Sequence, residues 1–279
     1  MSKVCVIGWP ITHSRSPLIH NYWINMHKLN ATYEKQAVAP ENLHHFIATM
    51  KEQGYVGCNV TIPHKEMAIS SIDLPDDRVK KIGALNTIFF HNGKSCGTST
   101  DGEGFFQNLL SQVADIDLHD KSVVVLGAGG AARAIVDKLL EESPKAIHVI
   151  NRSVNRAQQI QTDFGETVKA GDFQSLKSLL PTADLFVNAT SMGMTGQEPL
   201  EVALELLPKT AVVADIVYVP LKTSLIQNAE TLGLRTVPGL GMLLHQAVRG
   251  FELWFGIRPK VTIELYDLVA QDIDPGYRS

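Results

Sequence analysis

Cysteine is scarce in this chain. Only three occur in 279 residues (Cys5, Cys58 and Cys96), in no CxxC or Cys/His spacing. That excludes a disulfide scaffold and a zinc site built on paired thiols, and it suits reduced thiols in a cytoplasmic protein. A bias of charge is lacking too: 25 Lys and Arg stand against 29 Asp and Glu, a formal net charge of -4. Neither nucleic acid nor an anionic membrane finds an electrostatic partner in such a balance. No apolar run approaches the ~20 residues of a membrane span. The first one, Val4–Ile7, is ended by Gly8 and Pro10 and is too short for a signal-peptide core. The ten histidines are scattered, and His44-His45 has no ligand partner at helical spacing, so no metal site is expected. Repeats, low-complexity tracts and flexible linkers are absent.

What remains is an ordinary composition, 44% hydrophobic and 19% charged, long enough for two modest domains. The first hundred residues alternate strand and helix patterns. Val4–Ile7, Tyr33–Val38 and Tyr55–Ile62 read as strands. Ser16-Pro17 reads as an N-cap followed by proline at the first helical position, with Leu18, Ile19, Tyr22 and Met26 as the apolar face. Leu43, Phe46, Ile47 and Met50 mark a second helix, and another is expected near His64. Asn92-Gly93 between Leu85–Phe90 and Lys94–Ser99 predicts a hairpin. Beyond residue 101 the runs Val123–Leu126, Ala146–Ile150, Leu185–Asn188, Ala211–Ile216 and Arg235–Val237 are separated by helical patterns, the mark of a doubly wound parallel sheet. After Gly239 only helices are expected: one with Met242, Leu243, Ala247, Val248, Phe251, Trp254 and Phe255 at helical spacing, a last one over about Ile263–Ala270, and a frayed tail from Asp274. The fold class expected is therefore α/β, an N-terminal α/β domain plus a Rossmann-type domain. The boundaries expected are 1–101 with 240–279 for the first, discontinuous domain and 102–239 for the second.

Val123–Leu126 runs straight into Gly127-Ala128-Gly129-Gly130-Ala131-Ala132, which matches G-x-G-x-x-A. The first glycine permits the tight turn, the second lets backbone approach a pyrophosphate, and the small third residue lets the helix sit close to the strand. Free N–H groups at the new helix end would face the phosphates. An NAD site usually carries Asp or Glu at the end of the next strand, to hold the ribose 2′-hydroxyl. Here the stretch reads Asn151-Arg152-Ser153, then Arg156, with no carboxylate. Guanidinium pairs with a 2′-phosphate where a carboxylate would repel it, so NADP is the expected cofactor.

A second group of polar residues surrounds the first domain's strand ends. Ser14 and Ser16 precede a helix, where two hydroxyls and free N–H groups make a carboxylate cradle, though Ser16 alone could simply cap the helix. Asn59 and Thr61 share one face of a strand that ends at Lys65, while Asn86 and Asp101 flank the hairpin.

Together these motifs resemble the shikimate dehydrogenase family along almost the whole chain. The resemblance rests on His13-Ser14-Arg15-Ser16-Pro17 with His20-Asn21, Gly57 through Lys65, Gly83-Ala84-Leu85-Asn86-Thr87, Thr100-Asp101-Gly102 and the Gly127 loop. It continues through Asn151-Arg152, Asn188-Ala189-Thr190-Ser191-Met192-Gly193, Asp215-Ile216-Val217-Tyr218 and Gly239-Leu240-Gly241-Met242-Leu243 to Gln246. It implies an NADP-dependent oxidoreductase that interconverts 3-dehydroshikimate and shikimate on the route to chorismate and the aromatic amino acids. It implies Lys65 as general acid/base with Asp101 beside it. Ser14, Ser16 and Tyr218 would take the substrate carboxylate. Thr61, Lys65, Asn86, Asp101 and Gln246 would take the ring hydroxyls and the reacting oxygen. Gly127, Ala128, Gly129, Gly130, Ala131, Asn151, Arg152, Ser153 and Arg156 would hold NADP, with Asp77 as a further contact. Thr190, Met192, Ile216, Gly239 and Met242 would surround the nicotinamide. The implied protein is cytoplasmic, a monomer or homodimer, with a small-molecule substrate and no membrane or nucleic-acid partner. Three positions depart from the family's common residues: Ser99 and Ser153 keep a polar group, and Arg15 adds a charge between the two serines. The alternatives are a quinate/shikimate dehydrogenase using NAD, which Arg152 and Arg156 disfavour, and a non-catalytic sensor on the same fold, which would not need Lys65 and Asp101.

The paired serines give the first testable expectation. Replacing Ser14 and Ser16 together by Ala should raise the shikimate dissociation constant while leaving the fold and NADP binding intact. Unchanged shikimate affinity would reduce the serines to helix capping.

Overall fold

Two short apolar runs, Val4–Ile7 and Val123–Leu126, form interior strands of two separate sheets. The computed structural model describes residues 1–278. The chain forms two compact units, one of Met1–Asp101 with Leu244–Val269, the other of Gly102–Leu243 with the residues from Ala270 onward.

In the first unit β1 (Ser2–Gly8) is flanked by β2 (Ala31–Ala37) and β3 (Tyr55–Val60), both parallel to it. The hairpin β5 (Thr87–His91) and β6 (Lys94–Thr98) adds antiparallel to β3, and the two-residue strand β4 (Leu74–Pro75) closes the edge, giving the order β2-β1-β3-β5-β6-β4. Asn92 and Gly93 both have positive φ, 49° and 82°, as a two-residue hairpin turn demands. Helix α1 (Ser16–Met26) follows β1, α2 (Leu43–Thr49) follows β2, and α3 (Asp77–Ile82) precedes the hairpin.

Sequence periodicity misplaces parts of this unit. Ser16 is the first helical residue of α1 and Arg15 its cap; the Ser16 N–H donates to the Ser14 hydroxyl at 3.3 Å. The buried face of α1 is Ser16, Ile19, His20, Trp23 and Ile24, while Met26 is exposed. No α-helix starts at His64. The His64 N–H turns back to the Thr61 carbonyl, and the Lys65 carbonyl is taken by the Leu85 N–H at 2.9 Å, so a helical ladder cannot start there; a 3-10 turn follows at Met67–Ser71.

An aromatic cluster joins α1 to α9 (Leu240–Phe255), whose residues from Leu244 onward belong to this unit. Trp23 packs edge-on to Phe251 at 5.5 Å, and its indole N–H donates to the Lys260 carbonyl at 3.1 Å. The Trp254 indole donates to the Ile88 carbonyl across Gly57, where a Cβ would lie 2.1 Å from the indole nitrogen. His20 stacks on Tyr33 at 4.2 Å with both ring nitrogens unpartnered.

The second unit is a six-stranded, wholly parallel sheet: β7 (Ser122–Leu126), β8 (Ala146–Ile150), β9 (Val168–Gly171), β10 (Leu185–Asn188), β11 (Val212–Asp215) and β12 (Arg235–Val237). Their order is β12-β11-β10-β7-β8-β9, the doubly wound arrangement whose ligand crevice opens where the winding reverses, at the carboxyl ends of β7 and β10. The apolar runs are continuous because both faces are covered. Val123 and Val125 enter one core cluster with Leu185, Val187, Val212 and Ala214, while Val124 and Leu126 enter another with Phe186 and Val213. The helices are α4 (Asp101–Gln112, whose first residue belongs to the first unit), α5 (Gly130–Leu140), α6 (Val154–Phe164), α7 (Leu176–Leu179) and α8 (Ser224–Thr231). The last helix, α10 (Ile263–Ile273), whose residues up to Val269 belong to the first unit, runs three residues past the expected end, and of the tail residues Ser279 lies outside those described. No helix among the described residues is long and apolar enough to cross a membrane.

His20 yields a pH prediction. Burial drives its pKa from 6.5 down to about 3, and the nearby Asn59 amide is committed to other partners. Between those values the unfolded chain takes up a proton that the native state refuses. Stability is therefore lost as pH falls, by about 1.4 kcal/mol per pH unit from this one group. His20→Phe should flatten the acid limb of stability against pH by that slope, measured by urea melts from pH 4 to pH 7. An unchanged slope would show that His20 takes up its proton in the native state.

Candidate active site

The turn that displaces the expected helix is what positions Lys65. His64 is fully buried, with its Nε2 2.7 Å from the Val38 carbonyl, and the Lys65 backbone is tied to Leu85. The Lys65 side chain, 21% exposed, reaches Asp101, whose side chain is 9% exposed; Nζ lies 2.5 Å from Oδ2. Asp101 stands first in α4, where unpaired backbone N–H groups favour a negative charge.

Asn86 holds the other carboxylate oxygen. Its Nδ2 lies 2.8 Å from Asp101 Oδ1, 2.9 Å from Thr100 Oγ1 and 3.2 Å from Gln246 Oε1, two hydrogens shared among three acceptors. Its Oδ1 accepts from the Thr100 N–H and the Thr87 hydroxyl. Its backbone carbonyl accepts from the Val60 N–H and from Asn59 Nδ2. Asn59 in turn accepts from the Tyr33 hydroxyl at 2.7 Å. Sequence reading placed Lys65, Asn86, Asp101 and Gln246 together, and the network joins them. It gave no role to Thr100, Thr87, Tyr33 and His64, although Thr100, Thr87 and His64 stand within the motifs that carry the resemblance. Thr61 follows β3, packed over Gly8, where a Cβ would stand 2.7 Å from the Thr61 methyl. Ser14 is half-buried and Ser16 buried at the start of α1. Asp77 does not join the network: it is exposed on α3 and pairs with Lys80 at 2.9 Å. No cluster of metal-ligating side chains occurs among the described residues.

The second unit carries a separate set of groups at the carboxyl ends of its strands. Gly127 has φ +113°, and a Cβ there would stand 2.8 Å from the Ala189 carbonyl oxygen, so glycine is required twice over. Gly129 caps α5 without any side-chain bond, and nothing lies within 4 Å of where its Cβ would be. No acidic residue stands in the first turn of α5. A phosphate can thus approach bare backbone at a positive helix end. At the end of β8, Asn151 folds its amide onto the Ser153 carbonyl, and the guanidinium groups of Arg152 and Arg156 are exposed with no ion-pair or hydrogen-bond partner among the described residues. These groups fit a dinucleotide bearing a 2′-phosphate. Beyond β10 and β11 lie Thr190, Met192, Ile216 and Tyr218, all half-buried. Gly239 packs against the Ile216–Val217 peptide, where a Cβ would meet the Val217 carbonyl oxygen at 2.5 Å, and Met242 is buried in the core nearby. Gly241 is explained by Asn108, whose Oδ1 would lie 1.8 Å from an added Cβ.

Comparison with known proteins gives consistent matches. The family model for the shikimate dehydrogenase substrate binding domain matches residues 6–88, that for shikimate / quinate 5-dehydrogenase residues 108–220, and that for the shikimate 5′-dehydrogenase C-terminal domain residues 239–263. A shikimate dehydrogenase (NADP(+)) of Nitrobacter winogradskyi is 50% identical over 269 residues, covering 96% of this chain and 96% of its own. A crystal structure of a shikimate dehydrogenase in complex with NADP+ superposes with a TM-score of 0.89 at 36% identity, covering 98% of this chain and 96% of that one. A shikimate 5-dehydrogenase from Thermus thermophilus in complex with NADP(H) and shikimate superposes with a TM-score of 0.86 at 31% identity, covering 98% and 100%.

The unpartnered guanidiniums give a cofactor prediction. Arg152→Ala should raise the Michaelis constant for NADP about tenfold or more, the scale of a hydrogen bond to a charged group, with turnover little changed. Its constant for NAD should not rise. Parallel losses with both cofactors would place Arg152 outside 2′-phosphate recognition.

Proposed function

The chain belongs to the shikimate dehydrogenase family, and from that premise we propose that it interconverts 3-dehydroshikimate and shikimate with NADP(H), in the cytoplasm, as a step toward chorismate. The single observation that carries the reading is the Lys65–Asp101 pair, 2.5 Å apart, held on its far side by Asn86. NADPH, when bound, supplies the hydride. The residues that suit it are Gly127 through Ala131, Asn151, Arg152, Ser153 and Arg156, with Thr190, Met192, Ile216, Gly239 and Met242 toward the nicotinamide.

The protein's own task is to bind the ring and move one proton. Ser14 and Ser16 hold the substrate carboxylate, with Tyr218 as a further contact, and Thr61, Asn86 and Gln246 hold the ring hydroxyls. As the ketone carbon becomes tetrahedral, negative charge grows on its oxygen. The Lys65 ammonium stabilises that charge and donates the proton that completes the hydroxyl. In the reverse direction Lys65 takes the proton back. Asp101 keeps the lysine in place through Oδ2, and its position is fixed through Oδ1 by Asn86, so the flexible lysine stem loses little freedom on reaching the transition state. The three buried, unpaired cysteines accord with a reducing compartment.

Lys65→Met keeps the stem and removes the proton and the charge. It should fold and bind both ligands, yet lose at least about a hundredfold in turnover, the scale of general acid/base catalysis. Asp101→Asn should also slow turnover. If the two act as one unit, the double variant should be little worse than the poorer single one. Near-normal turnover in Lys65→Met would rule out its role, and multiplying defects would rule out the unit.

A further inference from the structure

Asp215 is a carboxylate that the proton transfer above does not use. It ends β11, it is 2% exposed, and burial raises its pKa. All its bonds are accepted ones. Oδ1 accepts from Asn188 Nδ2 at 2.9 Å and from the Val217 N–H at 3.0 Å, and Oδ2 accepts from the Thr223 hydroxyl at 2.6 Å. Those three donors sit on three different segments: the end of β10, the loop after β11, and the residue that caps α8.

Each donor fixes something further. Asn188, itself fully buried, accepts from the Thr190 N–H at 3.1 Å and the Thr190 hydroxyl at 2.7 Å, and its Nδ2 also lies 3.1 Å from the Met192 carbonyl. The Met192 N–H closes the loop onto the Thr190 hydroxyl at 3.0 Å. The Val217 N–H lies between Ile216 and Tyr218, and Gly239 packs with no spare space against that same peptide. One carboxylate thus sets the backbone of both loops that carry Thr190, Met192 and Ile216. A buried carboxylate is costly to keep in an apolar sheet end. A sheet end that needed only to be filled would be served by an apolar side chain.

We infer that Asp215, acting through Asn188 and the Val217 N–H, is the positioning residue for the nicotinamide half of the cofactor, and that the adenosine half is held independently of it. The inference rests on the NADP-dependent reading above and adds a division within that site. The adenosine half meets Arg152 and Arg156, neither of which bonds to Asp215, while the Gly127 loop, packed against Ala189, serves the pyrophosphate between the two halves.

The test separates the two halves of the cofactor. Dissociation constants for NADP and for adenosine 2′,5′-bisphosphate, which lacks the nicotinamide, are measured for the wild type, Asp215→Ala, Asp215→Asn and Asn188→Ala, with turnover on shikimate alongside. Asp215→Ala should bind the adenosine fragment within about twofold of wild type, bind NADP about fivefold more weakly, and turn over about tenfold more slowly or worse, because misplacing reacting groups costs rate. Asp215→Asn still offers an oxygen to Asn188 and Val217 and should recover most of the loss. Asn188→Ala should reproduce the Asp215→Ala pattern, and it carries the test by the same criteria if Asp215→Ala does not fold. A folded Asp215→Ala with wild-type NADP affinity and turnover overturns the inference. So does equal weakening of NADP and the fragment, which would mean a general disturbance of the unit. A wild type inactive on shikimate would instead sink the functional reading, while the two binding constants would still decide the division of the site.

Discussion

A buried asparagine must find partners for its backbone carbonyl as well as for the two donors and the acceptor of its amide, and Asn86 meets that demand by reaching four stretches of chain. It bonds the end of β3 through Val60 and Asn59, its neighbour Thr87 in β5, the Thr100–Asp101 corner before α4, and Gln246 in α9. Leaving any one of those groups unpaired would cost about 1–3 kcal/mol. The network is therefore settled as a whole or not at all. Lys65 depends on it twice: its backbone carbonyl is bonded by Leu85, next to Asn86, and its ammonium meets the carboxylate that Asn86 orients. Proton transfer is assigned to the longest side chain in the cluster, and the groups around it are hydrogen-bonded.

The second unit solves a related problem with a different device. The carboxyl end of a parallel sheet leaves loops whose backbone has no ladder to join. On one side of the reversal point the loop is bare, and Gly127, Gly129 and the start of α5 carry no side chain that would keep an anion from their N–H groups. On the other side Asp215 gathers the loops after β10 and β11 by accepting three bonds. Phosphate recognition needs open backbone, whereas placing a flat ring needs walls that do not shift, and the two sides of the crevice differ accordingly.

Much of this was legible in the sequence, for definable reasons. The parallel sheet showed itself because β7, β10 and β11 are buried on both faces and so are apolar but for one terminal residue each. The hairpin showed itself because two residues of positive φ leave little choice beyond Asn-Gly. Lys65, Asn86, Asp101 and Gln246 were found through resemblance; an isolated lysine or glutamine carries no signal by itself. Other features were not legible. The turn at His64 depends on Leu85 bonding the Lys65 carbonyl, a contact twenty residues distant that no local pattern encodes. The buried face of α1 includes His20, a polar residue made acceptable by stacking on Tyr33, so counting apolar residues drew the stripe through Met26 instead. The strand β9 and the helix α3 are short and gave no periodic signal. The part played by Asp215 needed three partners from separate segments, which only the folded chain brings together.

The proposed chemistry requires that a 2′-phosphorylated cofactor and shikimate meet the groups described. Initial rates of nicotinamide reduction by the wild-type protein test it directly, with shikimate and quinate each offered with NADP and NAD. The predicted result is that shikimate with NADP is used best, with kcat/KM for NADP about a hundredfold above that for NAD, the worth of roughly 3 kcal/mol of phosphate contact. Equal efficiency with the two cofactors, or preference for quinate, would contradict it.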